Sequence, residues 1–312
     1  MNDSRSMNSE VLTGNRFVFH KNDSAYPSAL RVIPKPPDYI YMIGNPEALE
    51  EGLSIVGARR VTPYGSTCTE KFAAIAAKRG VCIISGGALG CDSIAHKTAL
   101  ANGAKTVVFL GGGCDQVYPA GNLKLFQQVI DCGGAVVSEH EWQAPALPFQ
   151  FRARNRLIAA LGRATLIVEA GLPSGTFTTA DFAIEAGREV LVVPGSIASP
   201  NSHGANRLLY QGAIPVVDEQ SFNDILDSLF GMVELRQPGC DVKKGQALSP
   251  LIQAVLACPM SLEQMYEFMT NSSRAKHSMS DLMPSIYMEI NECEKLGIIA
   301  RYPSGQYGPA VH

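Results

Sequence analysis

LSIVGARRVTPYGSTCTEKFAAIAAKRGVCIISGGALG, residues 53–90, decides the fold. It opens on a short apolar run closed by glycine, 53–57, and reaches a second, VCIISGG, at 81–87. Neither run alternates apolar with polar residues, so both read as strands covered on both faces, as in a parallel sheet. Between them, Thr62-Pro63 has the chemistry of a helix start: a side-chain acceptor, then a residue whose fixed φ suits the first turn. Gly80, after Lys78 and Arg79, is the matching stop. Strand, glycine turn, helix and strand within about 30 residues make a βαβ unit.

The same pattern recurs outward from this stretch. Further runs are TVVFLGGG (106–113), AVVSE (135–139), TLIVEAG (165–171), VLVVPGS (190–196) and IPVVD (214–218), with helix-like segments between them. This spacing predicts an extended, doubly wound, mostly parallel α/β domain of Rossmann type over residues 45–230. Residues 1–44, with YPSAL and the proline-rich VIPKPPDYIYMIGN, read as an irregular lead-in ending in one strand. Residues 231–247, GMVELRQPGCDVKKGQA, have linker composition. LIQAVLA, SLEQMYEFM and PSIYMEINECEKLGII follow as three amphipathic stretches, Ser261 with Glu263 and Gln264 marking a helix start. ARYPSGQYGPA then reads as a two-stranded wing, so residues 248–312 are expected to form a small winged-helix-like domain. A helical dimerisation tail would have much the same pattern.

The chain has 312 residues, 46% hydrophobic and 18% charged, with a net charge of −3, so any anion site must be a local basic patch on a mildly acidic body. Its eight cysteines, at 68, 82, 91, 114, 132, 240, 258 and 293, form no C-x-x-C pair, which argues against zinc. The N-terminus lacks the apolar core of a signal peptide. No segment approaches the about 18 apolar residues of a membrane span. A cytoplasmic protein with reduced thiols is expected.

Ligands of open parallel sheets bind at the carboxyl ends of the strands. Four glycine-rich segments fall there: GARR (57–60), SGGALGCD (85–92), GGGCDQVYP (111–119) and EAGLPSGTFTTA (169–180). Glycines admit close backbone approach, and a following helix start offers N–H groups and a positive dipole end to phosphate. Any single loop could instead be only a tight turn; four on one sheet edge favour an anion site. Arg59 and Arg60 follow the first strand, and Phe151, Arg152, Arg154, Asn155 and Arg156 cluster before the strand at 165. Grouped arginines neutralise phosphates and an adjacent aromatic can stack on a base, although pairing of Arg154 and Arg156 with Glu139 or Glu169 is the competing explanation. No P-loop and no dinucleotide fingerprint occurs, so no bound cofactor is expected. There is no G-x-S-x-G elbow either. Glu169 with Asp181 could be an acid/base pair, but a loop cap and a solvated helix residue explain them better. His96 reads as structural, and His203 has no acid or nucleophile beside it in sequence.

Taken in order, SIVGARRVTPYG, SGGALGCDSIAH, VVFLGGGCDQVYP, RNRLIAAL, VEAGLPSGTFTTADFAIEAGREVLVVPGS and GANRLLYQGA resemble the DprA family, also called Smf. The resemblance spans about residues 25–220 and extends weakly into 247–310. It implies a homodimer that binds single-stranded DNA and loads the recombinase RecA during DNA uptake. It also implies a DNA site at Arg59, Ser85, Gly86, Gly90, Gly111, Gly113, Phe151, Arg154, Asn155, Arg156, Ser174 and Gly175, to which the glycine loop and the arginine cluster themselves add Gly57 and Arg152. Two departures stand out: Leu89 replaces the arginine of the family's S-G-x-A-R-G loop, and Arg152 replaces a proline, so one basic contact has moved. The alternatives to DNA binding are a nucleotide sensor and a nucleotide phosphoribohydrolase of the LOG type using Glu169, whose P-G-G-x-G-T signature this chain lacks.

Overall fold

In the computed structural model, the described residues are 11–231, 249–257, 259–272, 279–295, 299–302 and 305–309. The chain divides into two compact units, Met1–Cys240 and Asp241–His312.

The first unit is built on one nine-stranded sheet. Its elements in chain order are β1 (Arg16–His20), α1 (Ser28–Arg31), β2 (Tyr39–Gly44), β3 (Gly52–Val56), α2 (Pro63–Lys78), β4 (Ile83–Ser85), α3 (Cys91–Ala101), β5 (Thr106–Phe109), α4 (Leu123–Asp131), β6 (Ala135–Ser138), α5 (Pro148–Leu161), β7 (Gly162–Ile167), α6 (Thr176–Glu185), β8 (Glu189–Val192), α7 (His203–Tyr210), β9 (Ile214–Pro215) and α8 (Glu219–Phe230). The strand order is β1-β2-β6-β5-β4-β3-β7-β8-β9. All pairs from β6 to β9 are parallel. The seven apolar runs read from the sequence are these seven strands, and β3, β4, β5 and β6 are buried at every position. The unit is thus a doubly wound, Rossmann-like α/β fold, with core clusters on both faces of the sheet.

The segment expected to be an irregular lead-in supplies two strands rather than one. β1 pairs antiparallel with β2, and β2 with β6, so the sheet begins at residue 16, ahead of the expected boundary at 45. RFVFH carries little strand signal because it is an edge strand with only one of its five residues buried, joined to β2 through the proline-rich loop rather than a tight turn.

Helix α2 starts as its sequence predicts. The Thr62 hydroxyl accepts from the Gly65 N–H at 3.1 Å, and Glu169, at the end of β7, accepts from the Thr62 N–H at 3.0 Å and from its hydroxyl at 2.5 Å. The buried glutamate therefore fastens the amino end of α2 to the carboxyl end of the neighbouring strand. It caps α2 through Thr62 rather than capping a loop as the sequence suggested.

In the second unit, α9 (Pro250–Ala257), α10 (Leu262–Ser272) and α11 (Met279–Lys295) precede β10 (Ile299–Arg301) and β11 (Tyr307–Pro309), which pair antiparallel. Ser261 and Gln264 exchange side-chain bonds to each other's backbone N–H at the start of α10, a capping box. Leu251, Val255, Met265, Ile286, Ile290, Ile299 and Tyr307 form its core. Three helices followed by a hairpin follow a winged-helix-like plan. The linker expected at 231–247 lies, beyond Gly231, outside the described residues. Among the described residues no helix is long and apolar enough to cross a membrane.

Candidate functional site

The strand order reverses between β3 and β7: chain connections run from β3 toward β6 on one side and from β7 toward β9 on the other. Loops leaving the two strands therefore part, and a crevice opens at their carboxyl ends. A cavity of about 630 Å³ lies there. Gly57, Ala58, Arg59 and Arg60 after β3 form one wall; Ser174 and Gly175, leading into α6, form another; Phe151, Arg152, Arg154 and Asn155 of α5 close it. The first turn of α6 adds Thr176 and Thr179, so the positive end of that helix dipole opens onto the cavity.

The charge of the lining decides what it can hold. Arg59, Arg60 and Arg152 are exposed, and among the described residues none pairs with a carboxylate. Arg16, Arg79, Arg156, Arg163 and Arg188, elsewhere in the unit, all do. Asp92 is the one acid among the lining residues. A protein of net charge −3 thus keeps three uncompensated guanidiniums at one crevice. The Arg59 guanidinium lies 5.8 Å from the centre of the Phe151 ring. That ring is 5.4 Å from Tyr118 at an angle of 58°, so the cations border an aromatic platform.

Arg154 behaves differently from its neighbours. It is 4% exposed, and its guanidinium donates to the carbonyl of Gly86 at 2.5 Å and to that of Phe109. It ties α5 to the ends of β4 and β5 and forms the cavity floor. Burial lowers its pKa to about 10, partly offset by Asp92, so it stays charged at neutral pH. Burial also raises the pKa of Asp92 above the usual carboxylate range, with Arg154 and the Ala88 N–H opposing that shift. The one acid at the floor is therefore matched by the one buried cation.

Gly57, Arg59, Phe151, Arg152, Arg154, Asn155, Ser174 and Gly175 all line the cavity, and Gly86 lines a small recess beside it. Five expected residues do not line it. Arg156 is two residues from Arg154 and so on the other side of α5; it is held by Glu139 at 2.5 Å, the pairing the sequence left open. The Ser85 hydroxyl donates to the Ile55 carbonyl at 2.6 Å and bridges β4 to β3. Gly90, at φ +81, leaves room for the Ala58 and Arg59 carbonyls, while Gly113 packs under the backbone of Glu141 and Trp142. Gly111 faces the Phe151 ring: a Cβ there would stand 2.8 Å from Cδ1. These glycines bring protein to protein rather than protein to ligand. Asp92, Tyr118 and Asn201 line the cavity but were not singled out from the sequence. The G-G-G-C-D-Q-V-Y-P segment held the signal for Tyr118; an acid beside arginines gave none for Asp92.

The Glu169–Asp181 pair is not brought to this cavity. Glu169 is engaged by Thr62 and does not line the cavity. Asp181 is exposed. His96 is buried with Nδ1 2.7 Å from the Thr106 hydroxyl, and burial lowers its pKa to about 3.

Gly111 yields a direct test of the platform. Gly111→Val is expected to displace the Phe151 ring and weaken ligand binding roughly tenfold, the scale of one lost base–aromatic stack. Binding and near-ultraviolet circular dichroism, measured together, separate ring displacement from general unfolding.

Residues 17–229 match the family described as DNA recombination-mediator protein A. Protein Smf of Escherichia coli K12 is 34% identical over 294 residues, covering 93% of this chain and 77% of that protein. Protein Smf of Synechocystis is 37% identical over 227 residues, but the chain spans only 56% of its length. The X-ray structure of DprA from Streptococcus pneumoniae has 35% identity and a TM-score of 0.63, covering 67% of this chain and 73% of that one. A Helicobacter pylori DprA structure, described as showing a single-stranded DNA binding mode, has 32% identity and a TM-score of 0.63, covering 69% and 98%. With six motifs in order, a switch-point cavity and a family match over most of its length, the chain belongs to the DNA recombination-mediator protein A family, DprA/Smf.

Proposed function

We propose that this protein binds single-stranded DNA with little sequence specificity at the β3–β7 cavity, protects it, and promotes RecA loading in DNA uptake and recombination. The observation that carries this reading is the set of three unpaired arginines, Arg59, Arg60 and Arg152, around the Phe151–Tyr118 platform. Guanidiniums meet phosphates whatever the sequence, and an aromatic ring stacks on any base, provided the base is out of a duplex. The site works by binding, without a catalytic group. Membership of the family supports a homodimer and the RecA partnership, and the single-stranded DNA reported for the Helicobacter pylori relative supports the ligand class.

Fluorescence anisotropy with a labelled oligonucleotide of about 30 bases, long enough for several site sizes, tests the ligand. Tight binding of the single strand and much weaker binding of the same sequence as duplex is the expected result. Equal binding of both, or of neither, would remove single-stranded DNA as the ligand. A RecA-dependent strand-exchange assay, with and without this protein, then tests the loading step.

A further inference from the structure

The cavity accounts for Phe151 but leaves a second aromatic beside it without a role. Phe149, the second residue of α5, is 67% exposed. It contributes to none of the core clusters. Among the described residues it is the one phenylalanine exposed to this degree. Its position is defined by its neighbours: Pro148 before it and Arg152 three residues on both line the cavity, so Phe149 stands at the mouth. Leu147, just outside the helix, is exposed as well.

Helix geometry separates the two rings. Residues advance by 3.6 per turn, so Phe149 and Phe151, two apart, point to different sides of α5. Phe151 turns inward against Tyr118 and Gly111. Phe149 faces outward, on the same side as Arg152, because residues three apart are neighbours on a helix surface. Arg152 has no carboxylate partner among the described residues. The second loop adds no cation of its own to the rim, presenting Ala88 and an exposed Leu89. A polyanion leaving the cavity over the amino end of α5 meets Arg152 there.

We propose that Phe149 and Arg152 form a further nucleotide position outside the cavity, which rests on the single-strand reading above. The strand passes over the amino end of α5. One base stacks on Phe151 inside, the next accessible base stacks on Phe149 outside, and the phosphate between them meets Arg152. A single nucleotide fills the cavity without reaching Phe149; an oligonucleotide engages both rings.

Phe149→Trp tests this with little risk to the fold, since the side chain is exposed. The chain has one native tryptophan, Trp142, which packs edge-on to Tyr41 under Arg16, so the unsubstituted protein supplies the baseline. A single-stranded oligothymidylate of about 15 bases, near the upper end of single-strand site sizes, is expected to quench the added emission, while thymidine monophosphate leaves it unchanged. Phe149→Ala is expected to weaken oligonucleotide binding about five- to a hundredfold, the range for one lost base–aromatic stack. If Phe149→Trp binds the oligonucleotide by anisotropy with unchanged emission, or Phe149→Ala binds as tightly as the native chain, the position does not exist although the single-strand reading stands. If the native chain binds no oligonucleotide, both fall together. Quenching by the monophosphate alone would place Phe149 inside the cavity and overturn the outward path.

Discussion

Replacing Arg154 by alanine is expected to destabilise the Rossmann-like unit by about 3–5 kcal/mol, the cost of stripping a buried charge arrangement of one partner. The guanidinium is buried and spans the carbonyls of Gly86 and Phe109, at the ends of two adjacent strands. Alanine leaves both carbonyls without their donor and Asp92 without its compensating cation. At roughly 2–4 °C per kcal/mol for a unit of this size, thermal unfolding should move down by about 10 °C. Arg154→Lys recovers only part of the loss, because an ammonium lacks the planar fork that reaches both carbonyls. Single-strand binding is lost in step with the floor of the cavity. A variant of unchanged stability that has lost binding would instead make Arg154 a direct phosphate ligand.

The opposite signature is expected for the rim. Arg59, Arg60 and Arg152 are exposed and unpaired, so the triple alanine variant should unfold like the native protein. Each guanidinium–phosphate contact is a charge-assisted hydrogen bond worth about 1.5–3 kcal/mol, so even Arg59→Ala alone should lower single-strand affinity by tenfold or more. The salt dependence is the sharper measure. For single strands the slope of log K against log salt changes by about 0.7 per phosphate neutralised, and losing three contacts should flatten it by about 2. An unchanged slope with reduced affinity would mean that the arginines shape the crevice without touching phosphate.

These two predictions also show what the residues alone can and cannot reveal. The parallel strands were legible because each is a continuous apolar run, the pattern that burial on two faces produces, and five of the seven are closed by glycine. β1 was not, because an edge strand carries little of that signal and its partner lies beyond a proline-rich loop. Within R-A-R-N-R, the spacing says that Arg154 and Arg156 point opposite ways around a helix. It does not say which side meets the strand ends. The fold decides that: Arg154 goes to the floor, Arg156 to Glu139, and Arg152 to the rim. Glycines pose the same problem. Gly86, under the Arg154 guanidinium, and Gly111, under the Phe151 ring, permit close approach by side chains of the protein itself, and phosphate approach would select the same residue. Asp92 escaped because an acid looks misplaced among phosphate ligands until its buried cation is seen.

The central claim is that single-stranded DNA lies in the β3–β7 cavity with a base against Phe151 and Tyr118. An oligonucleotide carrying 5-iododeoxyuridine, which on irradiation bonds to aromatic rings in contact with it, tests this most directly. Mass spectrometry of the digested adduct is expected to place a cross-link on Tyr118 or Phe151, and Arg59→Ala should reduce its yield. Cross-links confined to the second unit, or to Trp142 and Tyr41 near the outer edge of the sheet, would contradict the account.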